Sequence, residues 1–429
     1  MSNPLCLPAE YNTRRRYAIL LLHEGAPFSL NYWSVACFLA VHLRSRRRVD
    51  LLPRWIWYPI LYLLVLPWRT FYETRSYVPF WIPMSHSRIY PPPLPACGTA
   101  RSPSSPGHAV CVYHLLILVQ YLQKLVADLI PRLLPHLPPG EVSVQVEVAF
   151  SSQPHSLDAA LERFRLLGNY TGVRDSQQGR ACVEEEHLVV LPLYPQYSSV
   201  HTAVAFDALT NAGFFTAHRT VPHLHFLRSY ATRPAYLHAL TAAIARFHAT
   251  HGPPDWLFVV FEGLSRRFVT SGDCYQVECH RTFTALRAAL ANPSTAGGEG
   301  EEGNHGIAAN RMTISFLDWG VEPCLEPSTR HVVAGIASQM RRIGLGLTDA
   351  KDGAEKEGEG EGWKKALGTA YFVCPGIAVD DNRSLQLVQK ELCELCLELG
   401  WQRAEYIPAL NESREHVKML ASIISEYVR

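Results

Sequence analysis

The sequence lacks a surplus of charge of either sign. Its 429 residues include 40 lysines and arginines and 39 aspartates and glutamates, which gives a formal net charge of +1. Proteins that hold nucleic acid through its phosphates usually carry a basic surplus, so no nucleic-acid partner is predicted. Charges do cluster locally, basic at 44–48 and acidic at 299–302 and 352–361, in runs typical of solvated faces or loops.

A disulfide framework is also lacking. The 11 cysteines are scattered without paired spacing, which indicates a reducing compartment. Cys393 and Cys396 form a C-x-x-C, but no second pair exists to complete four zinc ligands. On a helical period both share the face of Leu392, Leu395 and Leu399, so we predict core packing rather than metal binding there.

Targeting signals are equally scarce. No secretory signal is present, and residues 1–16 combine Arg14–Arg16 with Glu10 without an amphipathic run. A mitochondrial transit peptide is both basic and amphipathic, so residues 1–16 are expected to form an N-terminal tail instead.

The apolar stretch Trp55–Trp68 is too short to cross a membrane. Its fourteen residues carry no charge and lie between Arg54 and Arg69. Crossing a bilayer takes about twenty apolar residues, and Pro59 and Pro67 interrupt a helical hydrogen-bond ladder. We therefore predict that this stretch is an apolar lip, whose tryptophans and tyrosines suit a headgroup boundary. An ordinary core helix is the alternative.

Apolar strands alternate with amphipathic helices along the chain, which predicts an α/β fold. Two such sets in tandem predict two Rossmann-like halves, 17–195 and 196–429, each a parallel sheet flanked by helices. Gly/Glu/Lys-rich insertions at 294–308 and 348–362 are expected to be disordered. Strands are predicted at 17–22, 142–150, 256–261, 311–316 and 369–374, and the stretch 187–199 is predicted to be an apolar strand that runs straight into a turn. Helices are predicted at 110–134, 156–168 (capped by Ser156), 200–212, 234–249 and 329–343.

Four stretches carry the most specific patterns: LPLYPQYS (191–198), GDCYQVECHRT (272–282), CPG (374–376) and YIPALNES (406–413). In this order and spacing they resemble the ferrochelatase family, the enzymes that insert ferrous iron into protoporphyrin IX. The resemblance extends from about Tyr17 to the C-terminal end. It implies a chelatase-type fold of two Rossmann-like halves.

The resemblance also implies ligands and binding residues. Porphyrin or haem would be the ligand, with Fe2+ and protoporphyrin IX as substrates and no permanently bound cofactor. Arg69 and Tyr77 have the spacing of the family's Arg-x7-Tyr pair, in which arginine suits a propionate and tyrosine packs on the macrocycle. Tyr194 and Tyr197 are implied as further porphyrin-binding residues.

Further expectations concern the surroundings of the protein. No iron-sulfur cluster is predicted, because no cysteine follows Tyr406. By family analogy a eukaryotic chain would lie on the matrix side of the mitochondrial inner membrane, and a bacterial one in the cytoplasm. Weak peripheral membrane contact through the lip is expected, and a homodimer is left open.

Two family site motifs are altered. The family's Ser-x-His-x-Leu-Pro aligns with 260–265 and puts Glu262 at the His, while Pro-Gly-Phe-x-x-Asp-Cys-Leu-Glu-Thr puts Arg383 at the Glu. A carboxylate with a raised pKa beside an apolar cleft accepts protons or binds a divalent ion, so Glu262 is the candidate catalytic base and metal ligand. The alternative is a Glu that caps a helix or faces solvent. Arg383 would repel iron and lower the pKa of a nearby Glu262.

The cleft walls depart from the family as well. Ser151 and Ser152 replace an Arg-Tyr pair, and the bulky 81–85 replaces a glycine-rich turn. Three hypotheses follow: a divergent ferrochelatase that uses Glu262, a catalytically silent paralogue that binds porphyrin or haem, and a partner subunit of another haem-pathway enzyme that docks through the lip.

Overall fold

The computed structural model describes residues 12–27, 29–49, 52–77, 122–130, 142–167, 182–217, 221–291, 307–318, 323–344 and 367–428. The predicted wall at 81–85 and the insertion at 348–362 lie outside these residues, as does all but the end of the insertion at 294–308.

Four parallel strands form the first sheet, in the order β2-β1-β3-β4. The central strands β1 and β3 contain continuous apolar runs because both of their faces are covered. Their bounds are β1 (Asn12–His23), β2 (Val142–Phe150), β3 (Cys182–Pro192) and β4 (His223–Phe226).

The second sheet repeats this arrangement in the order β6-β5-β7-β8, again with all strands parallel. The predicted fold of two tandem Rossmann-like halves is thereby confirmed. Its strands are β5 (Trp256–Phe261), β6 (Met312–Phe316), β7 (Thr369–Val373) and β8 (Arg403–Ile407).

Helices cover both sheets. In the described parts of the chain they are α1 (Tyr32–Arg44), α2 (Arg54–Ile60), α3 (Leu66–Tyr77), α4 (122–130), α5 (Pro154–Leu167), α6 (Thr202–Thr210), α7 (Gly213–Ala217), α8 (Pro234–His251), α9 (Arg266–Thr270), α10 (Tyr275–Ala291), α11 (Thr329–Gly344), α12 (Cys393–Glu398) and α13 (Arg414–Ser425). Two π-helical segments, Leu61–Val65 and Ser384–Leu392, precede α3 and α12.

Three predicted boundaries are corrected by the structure. Strand β1 begins at Asn12 rather than Tyr17, because Arg15 and Arg16 pair with Glu185 and Glu186 of β3 and carry the ladder into the expected tail. The first sheet extends past 195, since β4 pairs with β3. Helix α5 begins at Pro154, whose fixed φ suits the first helical position, so Ser156 lies inside the helix and is not its cap.

The lip is helical throughout. Its chain runs from α2 through the π segment into α3, and the backbone N–H of Leu66 bonds to the carbonyl of Leu61. Pro59 therefore lies within α2 and does not end the helical chain. The π segment begins at Leu61, directly after α2. Within the described parts of the chain, no helix is long and apolar enough to span a bilayer.

Candidate functional site

The candidate site lies where the two sheets present their switch points. In each sheet the chain runs outward in opposite directions from two central strands, and ligands bind beyond the carboxyl ends of such strands. Glu24 follows β1, His201 follows β3, Glu262 follows β5, and Arg383 follows β7. The four side chains meet, so the two halves contribute to one centre.

Glu262 is the middle of this centre. One carboxylate oxygen, Oε1, accepts a hydrogen bond from the Arg383 guanidinium, and Oε2 contacts Nε2 of His201. The other ring nitrogen of His201, Nδ1, lies 3.6 Å from Oε2 of Glu24. Glu24 in turn contacts His42 and lies 3.1 Å from Nη2 of Arg48. Glu262 is thus held by cationic side chains on both of its oxygens.

These contacts set the charges of the centre. Burial alone would raise the pKa of Glu262, but Arg383 and His201 outweigh it and lower that pKa to about 2. Burial disfavours the charged form of His201, yet Glu262 and Glu24 raise its pKa to about 9. Burial raises and Arg48 and His42 lower the pKa of Glu24, with a net pKa well below the usual value. At neutral pH the centre therefore holds two carboxylates and a protonated His201.

The pKa of Glu262 is lowered, so the expectation of a raised pKa is not met. The expected lowering of this pKa by Arg383 is found. A carboxylate with a pKa of about 2 is a weak proton acceptor at neutral pH. It also faces the protein's own cations, so the alternative of a purely solvent-facing Glu262 does not describe its surroundings. Its assignment as base and metal ligand remains a prediction.

Sequence reasoning missed His201. It belongs to no family motif, since the family has small and hydroxylated residues in this part of the chain. The available signal was its position three residues after LPLYPQYS, beyond the carboxyl end of a buried strand, where functional side chains concentrate. Glu24, in the turn that follows β1, was missed as well.

Backbone geometry at two glycines allows the carboxylates to lie where they do. Gly25 has a φ of +92°, a conformation that residues with side chains rarely adopt. A Cβ on Gly25 would also lie 2.9 Å from the Cβ of Phe150. A Cβ on Gly263 would lie 1.6 Å from the carbonyl oxygen of Leu317. Each glycine follows a site carboxylate, so a side chain at either position would displace Glu24 or Glu262.

Ser151 and Ser152 hold the loop after β1. Their backbone N–H groups donate to the carbonyls of His23 at 2.8 Å and Glu24 at 3.1 Å. Both serines are buried. The positions that carry an Arg-Tyr pair in the family therefore support Glu24 through the backbone in this chain.

Arg383 is placed by a network of acidic side chains. Oδ1 of Asp381 accepts the backbone N–H groups of Arg383 and Ser384, both at 2.9 Å, where the π-helical segment begins. Buried Asp380 accepts hydrogen bonds from Tyr406 at 2.6 Å and Asn411 at 2.8 Å. The CPG and YIPALNES motifs are thereby joined, and together they fix the loop that carries Arg383.

The other two motifs bind each other across the halves. Asp273 of the GDCY element accepts the backbone N–H of Ser199 at 2.7 Å, and Glu278 accepts that of Tyr197 at 2.7 Å. The Gln196 side-chain amide donates to Thr282 at 3.1 Å and to the carbonyl of Pro375 at 3.2 Å. The motif residues thus build the frame of the site.

Of the predicted porphyrin-binding residues, the structure brings Tyr194 to this centre, and Tyr77 is buried at the C-terminal end of α3. Tyr194 stacks on His201 with ring centroids 4.4 Å apart. Burial raises the pKa of Tyr77, and Glu73 and Glu24 add to the effect while Arg383 opposes it.

Arg69 and Tyr197 are not brought to Glu262. Arg69 lies on the exposed side of α3 and pairs with Glu73 at 2.9 Å. Tyr197 is partly buried beneath the guanidinium of Arg228, which lies 4.3 Å from its ring centroid. The roles of Arg69 and Tyr197 in porphyrin binding remain predictions. A porphyrin that contacts either residue would do so away from the ion pairs of Glu262.

The lip has one packed and one exposed face. Trp57, Leu61 and Leu66 pack with α1 in a small core of their own. Trp55 and Trp68 are 77% and 74% exposed, and Leu63, Leu64, Phe71 and Tyr72 are exposed beside them. The segment is therefore neither a fully buried core helix nor a spanning one.

The cysteines predicted to be core residues are buried. Cys393 and Cys396 pack in the second-sheet core with Leu392, and burial raises the pKa of both thiols. Among the described residues, no group of three or more His, Cys, Asp or Glu side chains is arranged to hold a metal ion.

Comparison with known proteins covers nearly the whole chain. A family model described as Ferrochelatase matches residues 173–344. Ferrochelatase of Proteus mirabilis (strain HI4320) is 29% identical over 412 residues, which are 96% of this chain and 98% of the relative. Ferrochelatase of Erwinia tasmaniensis is 28% identical over 410 residues, with 95% and 98% covered.

Solved structures give more distant matches. SirB from Bacillus subtilis with Fe3+ has a TM-score of 0.42 at 11% identity, covering 71% of this chain and 89% of its own. CbiX, the terminal enzyme for biosynthesis of siroheme in denitrifying bacteria, has a TM-score of 0.37 at 15% identity, covering 74% and 93%.

Proposed function

Because the chain belongs to the ferrochelatase family, as its four motifs predicted, we propose that it binds a porphyrin beyond the carboxyl ends of the two sheets and inserts ferrous iron only slowly. Family membership supports metal chelation of the haem-biosynthesis type. The rate and the identity of the ligand are the parts that go beyond it.

The ion pair between Arg383 and Glu262 carries the proposal of slow insertion. Insertion of iron releases two pyrrole protons, and an acceptor with a pKa near the working pH is the efficient one. Glu262 has a pKa of about 2 and both of its oxygens are occupied. His201, with a pKa of about 9, is protonated at neutral pH and has no lone pair to offer.

The ion pairs of the centre also disfavour a free divalent ion. Arg48, His201 and Arg383 are each held by the carboxylate of Glu24 or Glu262. Ferrous iron approaching Glu262 must displace a protein cation, which costs the energy of a largely buried ion pair. A porphyrin with two propionates meets no such opposition.

Titration of the purified protein with protoporphyrin, with and without ferrous iron under anaerobic conditions, tests the proposal. We expect saturable binding, seen as a shift of the porphyrin absorption band, and slow conversion to haem. Absence of porphyrin binding contradicts the proposal outright. Rapid conversion contradicts the argument from the Arg383–Glu262 pair while leaving the family function intact.

A catalytically silent porphyrin or haem carrier is the second candidate. The same ion pairs favour it, since they occupy both oxygens of Glu262 and keep His201 protonated. Binding without any turnover in this titration would select it. A role as a partner subunit would instead give neither binding nor turnover.

We further propose weak, reversible membrane contact through the exposed face of the lip. Trp55, Leu63, Leu64 and Trp68 form an apolar surface flanked by Arg54 and Arg69. Apolar side chains bracketed by arginines suit the boundary of an anionic bilayer.

A further inference from the structure

We infer that Asp381 is the base that accepts the pyrrole protons during the slow insertion of iron. The inference rests on the proposed function, because it names a further residue of that same site. In the alignment with the family's Pro-Gly-Phe-x-x-Asp-Cys-Leu-Glu-Thr, Asp380 stands at the Asp and Asp381 at the Cys. The second of these neighbouring carboxylates is therefore a substitution that this chain carries.

Asp381 lines a cavity at the carboxyl ends of β5 and β7. The cavity has a volume of about 30 Å³, and Glu262, Arg383 and Cys374 line it as well. A space of this size holds a water molecule or a single ion but not a macrocycle. A porphyrin bound at the centre must therefore lie across the mouth of the cavity, and the nitrogens in the middle of its ring then face these side chains.

The two carboxylate oxygens of Asp381 have different surroundings. Oδ1 accepts the backbone N–H groups of Arg383 and Ser384, both at 2.9 Å, at the start of the π-helical segment. Within the described part of the chain, no hydrogen bond and no ion pair engages Oδ2. The backbone thus fixes the carboxylate through one oxygen and leaves the other able to accept a proton.

The neighbouring carboxylates are occupied. Glu262 and Glu24 are held by arginine and histidine side chains, and both oxygens of Asp380 accept hydrogen bonds. Burial raises the pKa of Asp381 above its usual value, although the charge of Arg383 opposes this. A carboxylate whose pKa lies closer to the working pH is the better acceptor, so Asp381 suits the task better than Glu262, whose pKa is about 2.

The proton transfer at Asp381 balances without any further reactant. Each transfer breaks a pyrrole N–H bond and forms an O–H bond at Oδ2, and the electron pair of the broken bond stays on the nitrogen that binds the iron. Two protons leave for each iron inserted, so Asp381 passes the first to water before it takes the second. Asp381 is partly exposed, which gives water access to it.

Asp381→Asn removes the proton acceptor but keeps the loop, because the side-chain oxygen of asparagine accepts the same two backbone N–H groups. The rate of iron insertion at saturating protoporphyrin and ferrous iron should fall about a hundredfold, the lower end of what a positioned base contributes. Affinity for protoporphyrin and the melting temperature should stay at the wild-type values. The wild-type rate should rise with pH as Asp381 loses its proton, and the variant should lack this rise.

Asp255→Asn is the matched control. Asp255 directly precedes β5, at the opposite end of the second sheet, and its Oδ2 accepts the backbone N–H of Thr369 at 2.7 Å. The chemical change is the same and again spares an acceptor of a backbone N–H. The insertion rate, its pH dependence and the porphyrin affinity should all remain as in wild type.

An unchanged saturated rate in Asp381→Asn overturns the inference, whether or not affinity falls. A lower rate with the wild-type pH dependence overturns it too, since Asp381 would then act only on the structure of the loop. An equal loss in Asp255→Asn would show that the loss is not specific to the cavity. Wild type that binds protoporphyrin but never inserts iron excludes a working base and selects the carrier. Failure of wild type to bind any porphyrin refutes the proposed function itself, which separates the two claims.

Discussion

Restoring the family's residues at the centre should raise the rate of iron insertion, and the order of the changes matters. Glu262→His alone places a second imidazole between Arg383 and His201 and removes the carboxylate that pairs with both. Adding Arg383→Glu returns a carboxylate to the centre, now at position 383. We therefore expect little gain from the first change and most of the gain from the double variant.

The magnitude follows from the pKa of about 2 of Glu262. A positioned proton acceptor with a pKa near the working pH contributes roughly 10²–10⁴-fold to a rate. The wild-type protein should be slower than an intact family member by about that factor. The two substitutions need not contribute additively, because groups that act as a unit do not.

The assay follows loss of protoporphyrin absorption under anaerobic conditions with ferrous iron, using porphyrin affinity as a separate measurement. Arg330→Glu with Glu391→His is the matched control, since it alters an ion pair of 2.8 Å that is exposed on the surface. That control should leave the rate unchanged. Wild-type turnover at ordinary family rates, abolished by Glu262→Ala, would refute the reasoning and make Glu262 the working base or metal ligand.

Four further predictions follow from the same structure. The folded-state pKa of His201 is raised to about 9, so the contribution of His201 to stability is complete below about pH 6.5 and is lost as pH rises through 9. Urea titrations of His201→Gln at a series of pH values should lack this decline, and an identical decline in both proteins would contradict the prediction. Deleting 348–362 should leave the melting temperature within a few degrees, and a collapse in soluble yield would show that the segment packs. Trp55→Ser with Trp68→Ser should abolish flotation with anionic liposomes without altering the melting temperature, whereas binding that resists salt and carbonate would contradict peripheral contact. Arg69→Ala should weaken porphyrin affinity by about 1.5–3 kcal/mol if Arg69 exchanges its exposed pair with Glu73 for a propionate, and equal affinity would remove it from the binding site.

The sequence predicted the buried parts of the fold better than its edges. The run WLFVVF of β5 is apolar on every residue because the strand is central and covered on both faces. Strands β4 (HLHF) and β8 (RAEYI) were missed because edge strands have one free side and tolerate polar residues. With β4 unrecognised, the boundary between the halves was placed too early.

The site was predictable one residue at a time but not as a set. Glu262 and Arg383 were located by motif alignment, and the effect of one on the other was predicted from charge. His201 lies 61 residues before Glu262 along the chain and in no motif, so nothing in a single sequence links the two. Their contact exists because two sheets meet, which is a property of tertiary packing alone.

The hydrogen bonds between the LPLYPQYS loop and α10 bear on how a large planar ligand gains entry. Gln196, Tyr197 and Ser199 are tied to Thr282, Glu278 and Asp273, so the carboxyl ends of the two sheets are clamped by the chain's own polar groups. Hinge opening between the two halves would have to break these hydrogen bonds together. The helices α1 to α3 instead join the centre through His42, Arg48 and Glu24 and pack in a separate core. Entry of the ligand by movement of α1 to α3 would keep the two sheets fixed, but it would separate His42 and Arg48 from Glu24, so ligand entry and the charge of the centre should be coupled.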